Sequence, residues 1–94
     1  MFDNLDREYT KEEKIQGEKY YKEALQLLDD EEDFDKIMAL LMKAVDSGNP
    51  DAAYLLADWY NDDPFDEGYS KELAYRLAKF AYDRGVIEAK EILK

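Results

Sequence analysis

Carboxylates are the side chains most able to do chemistry in this chain, with 24 Asp and Glu among 94 residues. The run Asp29-Asp30-Glu31-Glu32-Asp33 sets acids at alternate positions, as the start of a calcium loop does. Such a loop needs glycine at its sixth position for a sharp turn and a bidentate Glu at its twelfth. Phe34 and Leu40 stand at those places, so the calcium reading fails. Two carboxylates can also share general acid and base roles, yet the rest of a catalytic set is missing. No histidine and no cysteine occur, which removes the usual proton shuttle, the thiolate nucleophile and the His or Cys metal ligands. Ser47 and Ser70 are the two serines, and both fall at helix ends. Gly17, Gly48, Gly68 and Gly85 are isolated, so no glycine-rich loop cradles a phosphate. The sequence predicts no enzyme, no catalytic residue, no metal site and no cofactor.

Binding is the class of function left, and charge bounds the partner. The net charge is −11. Residues 1–35 hold 13 acidic and 5 basic side chains, and residues 36–94 hold 11 and 8. A field of this sign repels nucleic acid and anionic membrane and favours a partner carrying basic residues. Hydrophobic residues make up 46% and aromatics 14%, enough for a folded core of one small domain. No apolar stretch approaches a membrane span, and Met1-Phe2-Asp3-Asn4-Leu5-Asp6 lacks the basic segment and apolar run of a secretion signal. A cytoplasmic protein is expected.

The elements that must present a binding surface are all helical. Residues 1–10 read as a flexible acidic arm whose Phe2, Leu5 and Tyr9 could pack on the first helix. Thr10-Lys11-Glu12-Glu13 forms a capping box. Ile15, Tyr21, Ala24, Leu25 and Leu28 then recur at helical spacing, predicting a first helix to about Leu28. A second helix starts near Phe34, buries Ile37, Leu40, Leu41, Ala44 and Val45, and closes at Gly48. Asn49-Pro50 reads as N-cap and first-turn proline of a third helix, with Ala53, Leu56, Ala57 and Tyr60 inward. Asn61–Tyr69 is a loop. Ser70 caps a fourth helix that buries Leu73, Ala74, Leu77, Ala78 and Ala81 and closes at Gly85. A fifth helix, Val86–Leu93, carries Ala89, Ile92 and Leu93. The small residues let helix backbones approach closely while Tyr21, Leu28, Leu41 and Tyr60 fill the space between them.

One pattern repeats. Ala44, Asp46, Gly48 and Ala52 return as Ala81, Asp83, Gly85 and Ala89, each 37 residues on. A fixed period in this range is the mark of stacked helical hairpins. The residues Ala53-x-x-Leu56-Ala57-x-Trp59-Tyr60, then Ala74, Ala78, Ala81, Gly85 and Ala89, are similar to a Sel-one-like repeat of the tetratricopeptide superfamily. The earlier unit, Tyr21, Ala24, Leu25, Leu28, Ile37, Leu41 and Ala44, resembles an ordinary tetratricopeptide repeat. Its first helix stands 32 residues before the matching one and its second helix 37, the difference falling in the loop Asn61–Tyr69. The likeness covers residues 17–94, within a repeat domain placed at 11–94. Ala57 departs from it where glycine is usual, and Val86 stands where Asn49 caps the preceding unit. The resemblance implies a short all-α solenoid of about two antiparallel hairpins plus a terminal helix.

The resemblance also implies an adaptor or chaperone-like module whose first helices line a groove. In this chain that face is Lys19, Lys22, Gln26 and Asp29 on one helix and Asp51, Tyr54, Asp58 and Asn61 on the next. Residues 51, 54, 58 and 61 independently share one helical stripe, apart from the core stripe. Asp51, Asp58 and Asp62 beside Tyr54 suit a peptide with Lys or Arg next to an apolar residue, and Lys19 and Lys22 select a mixed-charge one. Trp59 is expected to pack near the fourth helix rather than to bind. The competing class is an acidic neutralising protein, an immunity-type inhibitor or nucleic-acid mimic that meets a basic partner through residues 1–35. A third is self-assembly, a weak homodimer through the end bearing Ile92 and Leu93.

Overall fold

The computed structural model describes residues 5–30, 33–62 and 69–93, and among them the chain is helical with no strand. In order the helices are α1 (Lys11–Asp29), α2 (Phe34–Asp46), α3 (Pro50–Asn61), α4 (Tyr69–Asp83), a 3-10 turn (Ile87–Ala89) and α5 (Lys90–Leu93). Helix α1 packs on α2, α2 on α3, and α3 on α4, with α5 laid on α4. A radius of gyration of 12.6 Å is that of one folded body of this length, about 12 Å.

Each boundary has a local cause. The Thr10 Oγ1 accepts from the Glu13 N–H at 3.0 Å, and the Glu13 carboxylate accepts from the Thr10 N–H at 3.0 Å, which completes the capping box at the start of α1. Asp33 caps α2 through the Asp35 N–H at 3.0 Å. Gly48 ends α2 at φ +89°. The Gly48 N–H bonds the Val45 carbonyl at 2.9 Å, and the Asn49 N–H bonds the Ala44 carbonyl at 2.9 Å. The same pair recurs after α4. Gly85, at φ +104°, bonds Tyr82 at 3.1 Å, and Val86 bonds Ala81 at 3.0 Å. These are two copies of one left-handed helix end, and their residues stand 37 apart.

The two turns lead into different elements. The Asn49 side chain is buried and accepts from the Ala52 N–H at 2.8 Å. With Pro50 in the first turn, it launches the twelve residues of α3. Val86 supplies no side-chain cap. Instead of one regular helix over Val86–Leu93, the chain makes a 3-10 turn and then four α-helical residues. Tyr69 already lies in α4, so Ser70 falls in the first turn rather than ahead of it. Of the loop expected at Asn61–Tyr69, Asn61 ends α3 and Asp62 is its C-cap, and residues 63–68 lie outside those described, as do Glu31 and Glu32.

The core is a layer of alanines interleaved with large apolar groups. Ala44, Ala52, Ala53, Ala57, Ala74, Ala78 and Ala81 are fully buried, packed with Ile37, Leu41, Leu56, Leu77 and Phe80. Close backbones between small residues and the filling of remaining space by large ones are what ridge-into-groove packing needs. The α2, α3 and α4 stripes read from the sequence are inside, and Tyr60 is half-buried.

Helix α1 keeps the middle of its expected stripe inward, with Ala24 buried and Tyr21 and Leu25 half-buried, and loses both ends of it. Ile15 is 48% exposed and Leu28 is exposed too, while the buried positions are Gly17 and Ala24. Ile15 and Ala24 are nine residues apart, which at 100° per residue puts them on opposite sides. A Cβ at Gly17 would lie 3.0 Å from the Ser47 Cβ and 3.1 Å from the Ala44 carbonyl oxygen. Gly17 therefore seats α1 against the end of α2 and sets its rotation. At the far end Ile92 and Leu93 are half-buried against the core, whereas Ile87 is 72% exposed.

Candidate functional site

A concavity of about 740 Å³ opens between the middle of α1, the turn from α2 to α3, and the end of α4. Helix α1 contributes Lys14, Glu18, Tyr21, Lys22 and Leu25, a stripe at i, i+4, i+7, i+8 and i+11 that flanks the inward pair Gly17 and Ala24. Gly48, Asn49, Pro50 and Asp51 form its floor at the start of α3, and Arg84 closes it from the end of α4. The polar lining is mixed, three cations against two carboxylates, in a chain of net charge −11. Lys22 and Glu18 are themselves paired at 3.0 Å, an exposed i, i+4 pair that water and salt weaken.

Two phenols in or near this concavity titrate above their ordinary range. Burial raises the Tyr21 hydroxyl above its ordinary value, and the charge of Asp51 raises it further. Like any phenol at neutral pH, Tyr21 keeps its proton and can donate a hydrogen bond in the groove. Burial also raises Tyr9, against the opposing charges of Arg7 and Arg84. The surface offers donors, acceptors and an apolar wall from Leu25 and Pro50, which is equipment for holding an extended segment of mixed charge.

Of the residues predicted for binding, Lys22 and Asp51 come together in this concavity. Lys19, Gln26 and Asp29 are exposed on α1 and do not line it. Tyr54 is half-buried against the core, and Asp58 is half-buried farther along α3. The Asn61 carbonyl accepts from the Lys71 ammonium at 3.3 Å, and Asp62 is exposed, its backbone N–H bonding the Asp58 carbonyl at 3.2 Å. Trp59 lies against Phe34 at the start of α2, ring centroids 5.3 Å apart. Sequence reading missed Lys14, Glu18, Leu25 and Arg84. The signal that could have located the α1 stripe is the pair Gly17 and Ala24, two small residues seven apart on the contact face. Arg84 gives no comparable signal, because the fold alone carries the end of α4 to this place.

The segment ahead of α1 also reaches the site. Leu5 to Thr10 lies against the body, with the Tyr9 ring edge-on to Phe80 of α4 at 6.1 Å. The Arg7 guanidinium bonds the Glu13 carboxylate at 2.6 Å and the Asp46 carbonyl at 3.1 Å. The bond to Arg7 is the main reason the Glu13 carboxyl is held down at about 2, with the Thr10 N–H adding to it.

Comparison with known proteins finds no matching family model, no matching curated protein and no matching solved structure.

Proposed function

We propose that this chain is a small protein-interaction module, an adaptor or chaperone-like unit that holds a peptide segment of a partner in the concavity between α1 and the start of α3. The observation that carries it is the mixed-charge lining of that 740 Å³ concavity, from Lys14, Lys22 and Arg84 to Glu18 and Asp51. We read the architecture as two stacked hairpins of the tetratricopeptide and Sel-one-like kind. Support comes from the pairing of α1 with α2 and α3 with α4, and from the two identical helix ends 37 residues apart. Charge steers the encounter, and Tyr21 and Leu25 supply the contacts that hold. The preferred ligand carries a basic residue next to an apolar one, with an acid nearby to meet Lys14 or Lys22.

The test uses a partner captured from the native host and then purified. Lys22→Ala with Asp51→Ala should weaken its binding by roughly fivefold or more, a loss above about 1 kcal/mol, with helicity unchanged. Tyr54→Ala with Asp58→Ala reports on the farther stripe of α3. If the protein is instead an acidic neutraliser, charge reversal at Asp29, Asp30 and Asp33 abolishes binding and both groove variants bind normally.

A further inference from the structure

The segment Leu5–Thr10 is seated as a ligand would be. Its Tyr9 ring lies over Gly48, where an added Cβ would come within 2.6 Å of the Tyr9 Cγ. The ring edge meets Phe80. Arg84 stacks 3.9 Å over the Phe80 ring and stands 6.0 Å from that of Tyr9. Arg7 covers Tyr9 at 4.0 Å while its own nitrogens are taken by Glu13 and the Asp46 carbonyl. The Tyr9 hydroxyl donates to the Leu5 carbonyl at 3.0 Å, so the docked segment is folded back on itself in a turn. Gly48 and Arg84 belong both to this seat and to the main concavity, and Lys14 lines the main concavity and the smaller cavity beside the docked segment.

A guanidinium slot and an aromatic slot thus lie side by side at one end of the groove. The guanidinium slot offers a carboxylate and a carbonyl, the two acceptors that a forked donor uses best. The aromatic slot has a floor without a side chain, an aromatic wall and a cation above. We propose that this end of the groove is a recognition site for Arg-x-aromatic segments, occupied in this state by the chain's own Arg7-Glu8-Tyr9. A partner bearing the same pair displaces residues 5–9 and then runs on into the concavity. This inference rests on the reading of the concavity as a peptide groove. The tethered segment competes at an effective concentration on the order of millimolar, so it excludes weak ligands and yields to those that also use Tyr21 and Asp51.

The probe is the synthetic hexapeptide Leu-Asp-Arg-Glu-Tyr-Thr, titrated into the full chain and followed through backbone amide resonances. In Arg7→Ala with Tyr9→Ala, the peptide should shift the Gly48, Phe80 and Arg84 amides. Wild type should need at least about tenfold more peptide for the same shift, and its own residues 5–9 should move as they are displaced. A peptide with alanine in place of both Arg and Tyr should shift nothing, and Gly48→Ala should bind neither the tethered nor the free segment. Should the double variant fold poorly, the displacement of residues 5–9 in wild type decides alone. No shift with either protein, or equal affinity for both, overturns the proposal. Peptide binding here while the purified host partner ignores Lys22→Ala with Asp51→Ala would leave the seat standing and remove the groove reading. The converse result removes the seat alone.

Discussion

Gly48 and Gly85 have the same backbone role and different surroundings, so they can be used to weigh one contact. Both hold positive φ at the end of a helix, where a Cβ costs about 1–2 kcal/mol. Nothing lies within 4 Å of a Cβ at Gly85, whereas one at Gly48 runs into the Tyr9 ring. In urea unfolding, Gly85→Ala should lose the backbone cost alone, and Gly48→Ala should lose more by whatever the docked ring contributes. Equal losses would mean that Tyr9 swings aside freely. Glu13 gives a second test at the same seat. Its carboxyl titrates at about 2 rather than 4.5, first because of Arg7 and then because of the Thr10 N–H. A lowered folded value means that its stabilising contribution is complete above pH 4.5 and is lost as pH falls through 2. Stability should therefore drop more steeply between pH 4.5 and 2 in wild type than in Glu13→Gln. In Arg7→Ala the Glu13 carboxyl should rise, yet stay below its ordinary value because Thr10 still donates to it; carboxyl chemical shifts against pH read this directly.

At the scale of elements, small residues decide how close the helices come. Ala57 is fully buried in the layer between α3 and its neighbours. Ala57→Leu should overpack that layer and cost roughly 1–3 kcal/mol, measured by thermal unfolding, and a neutral result would show that the α3 contact is loose. The sequence made this layer legible because α2, α3 and α4 are each covered on a wide face, which leaves a strong apolar period at Ile37, Leu41, Leu56, Leu73 and Leu77. It made α1 less legible because that helix is covered mainly by α2. Its stripe is narrow and set by Gly17 and Ala24, and Ile15 and Leu28 carry apolar signal without being inside. The last element was legible only in part. Val86 announced a missing cap, but the shortening to a 3-10 turn and four residues comes from the absence of any side chain to hold the first N–H groups. The α1 stripe that lines the concavity is shifted by one residue from the expected Lys19, Lys22, Gln26 and Asp29 for a related reason. Rotation about the helix axis depends on which small residue meets the neighbour, and that contact lies 27 to 32 residues away in sequence, at Ala44, Ser47 and Asn49.

For the whole molecule the net charge is −11, and its effects on stability and on binding are expected to have opposite salt dependence. The identified ion pairs Arg7–Glu13, Glu18–Lys22 and Glu72–Arg76 lie at or near the surface, so each contributes little and weakens with salt. Against them stands the mutual repulsion of a large acid excess packed within a radius of gyration of 12.6 Å, which compaction makes worse and salt relieves. Repulsion acts among all the charges at once while each identified pair is a single surface contact, so repulsion is expected to dominate. Raising sodium chloride from about 0.02 to about 0.5 M shortens the screening length from about 20 Å to roughly 4 Å. That change should raise Tm by roughly 4–8 °C, the shift that about 1 kcal/mol makes in a domain of this size. Binding of a basic partner should weaken over the same range, mainly through a slower association rate. A falling Tm would mean that the surface pairs outweigh the repulsion. Salt is also the condition in which the exposed Ile87 beside Ile92 and Leu93 could bring two copies together, since it removes the charge that keeps them apart. Sedimentation at two protein concentrations in the high-salt buffer separates these effects: a rise in Tm with concentration-independent mass belongs to screening within one chain, and a mass that grows with concentration and reverts in Ile87→Lys belongs to the stack end.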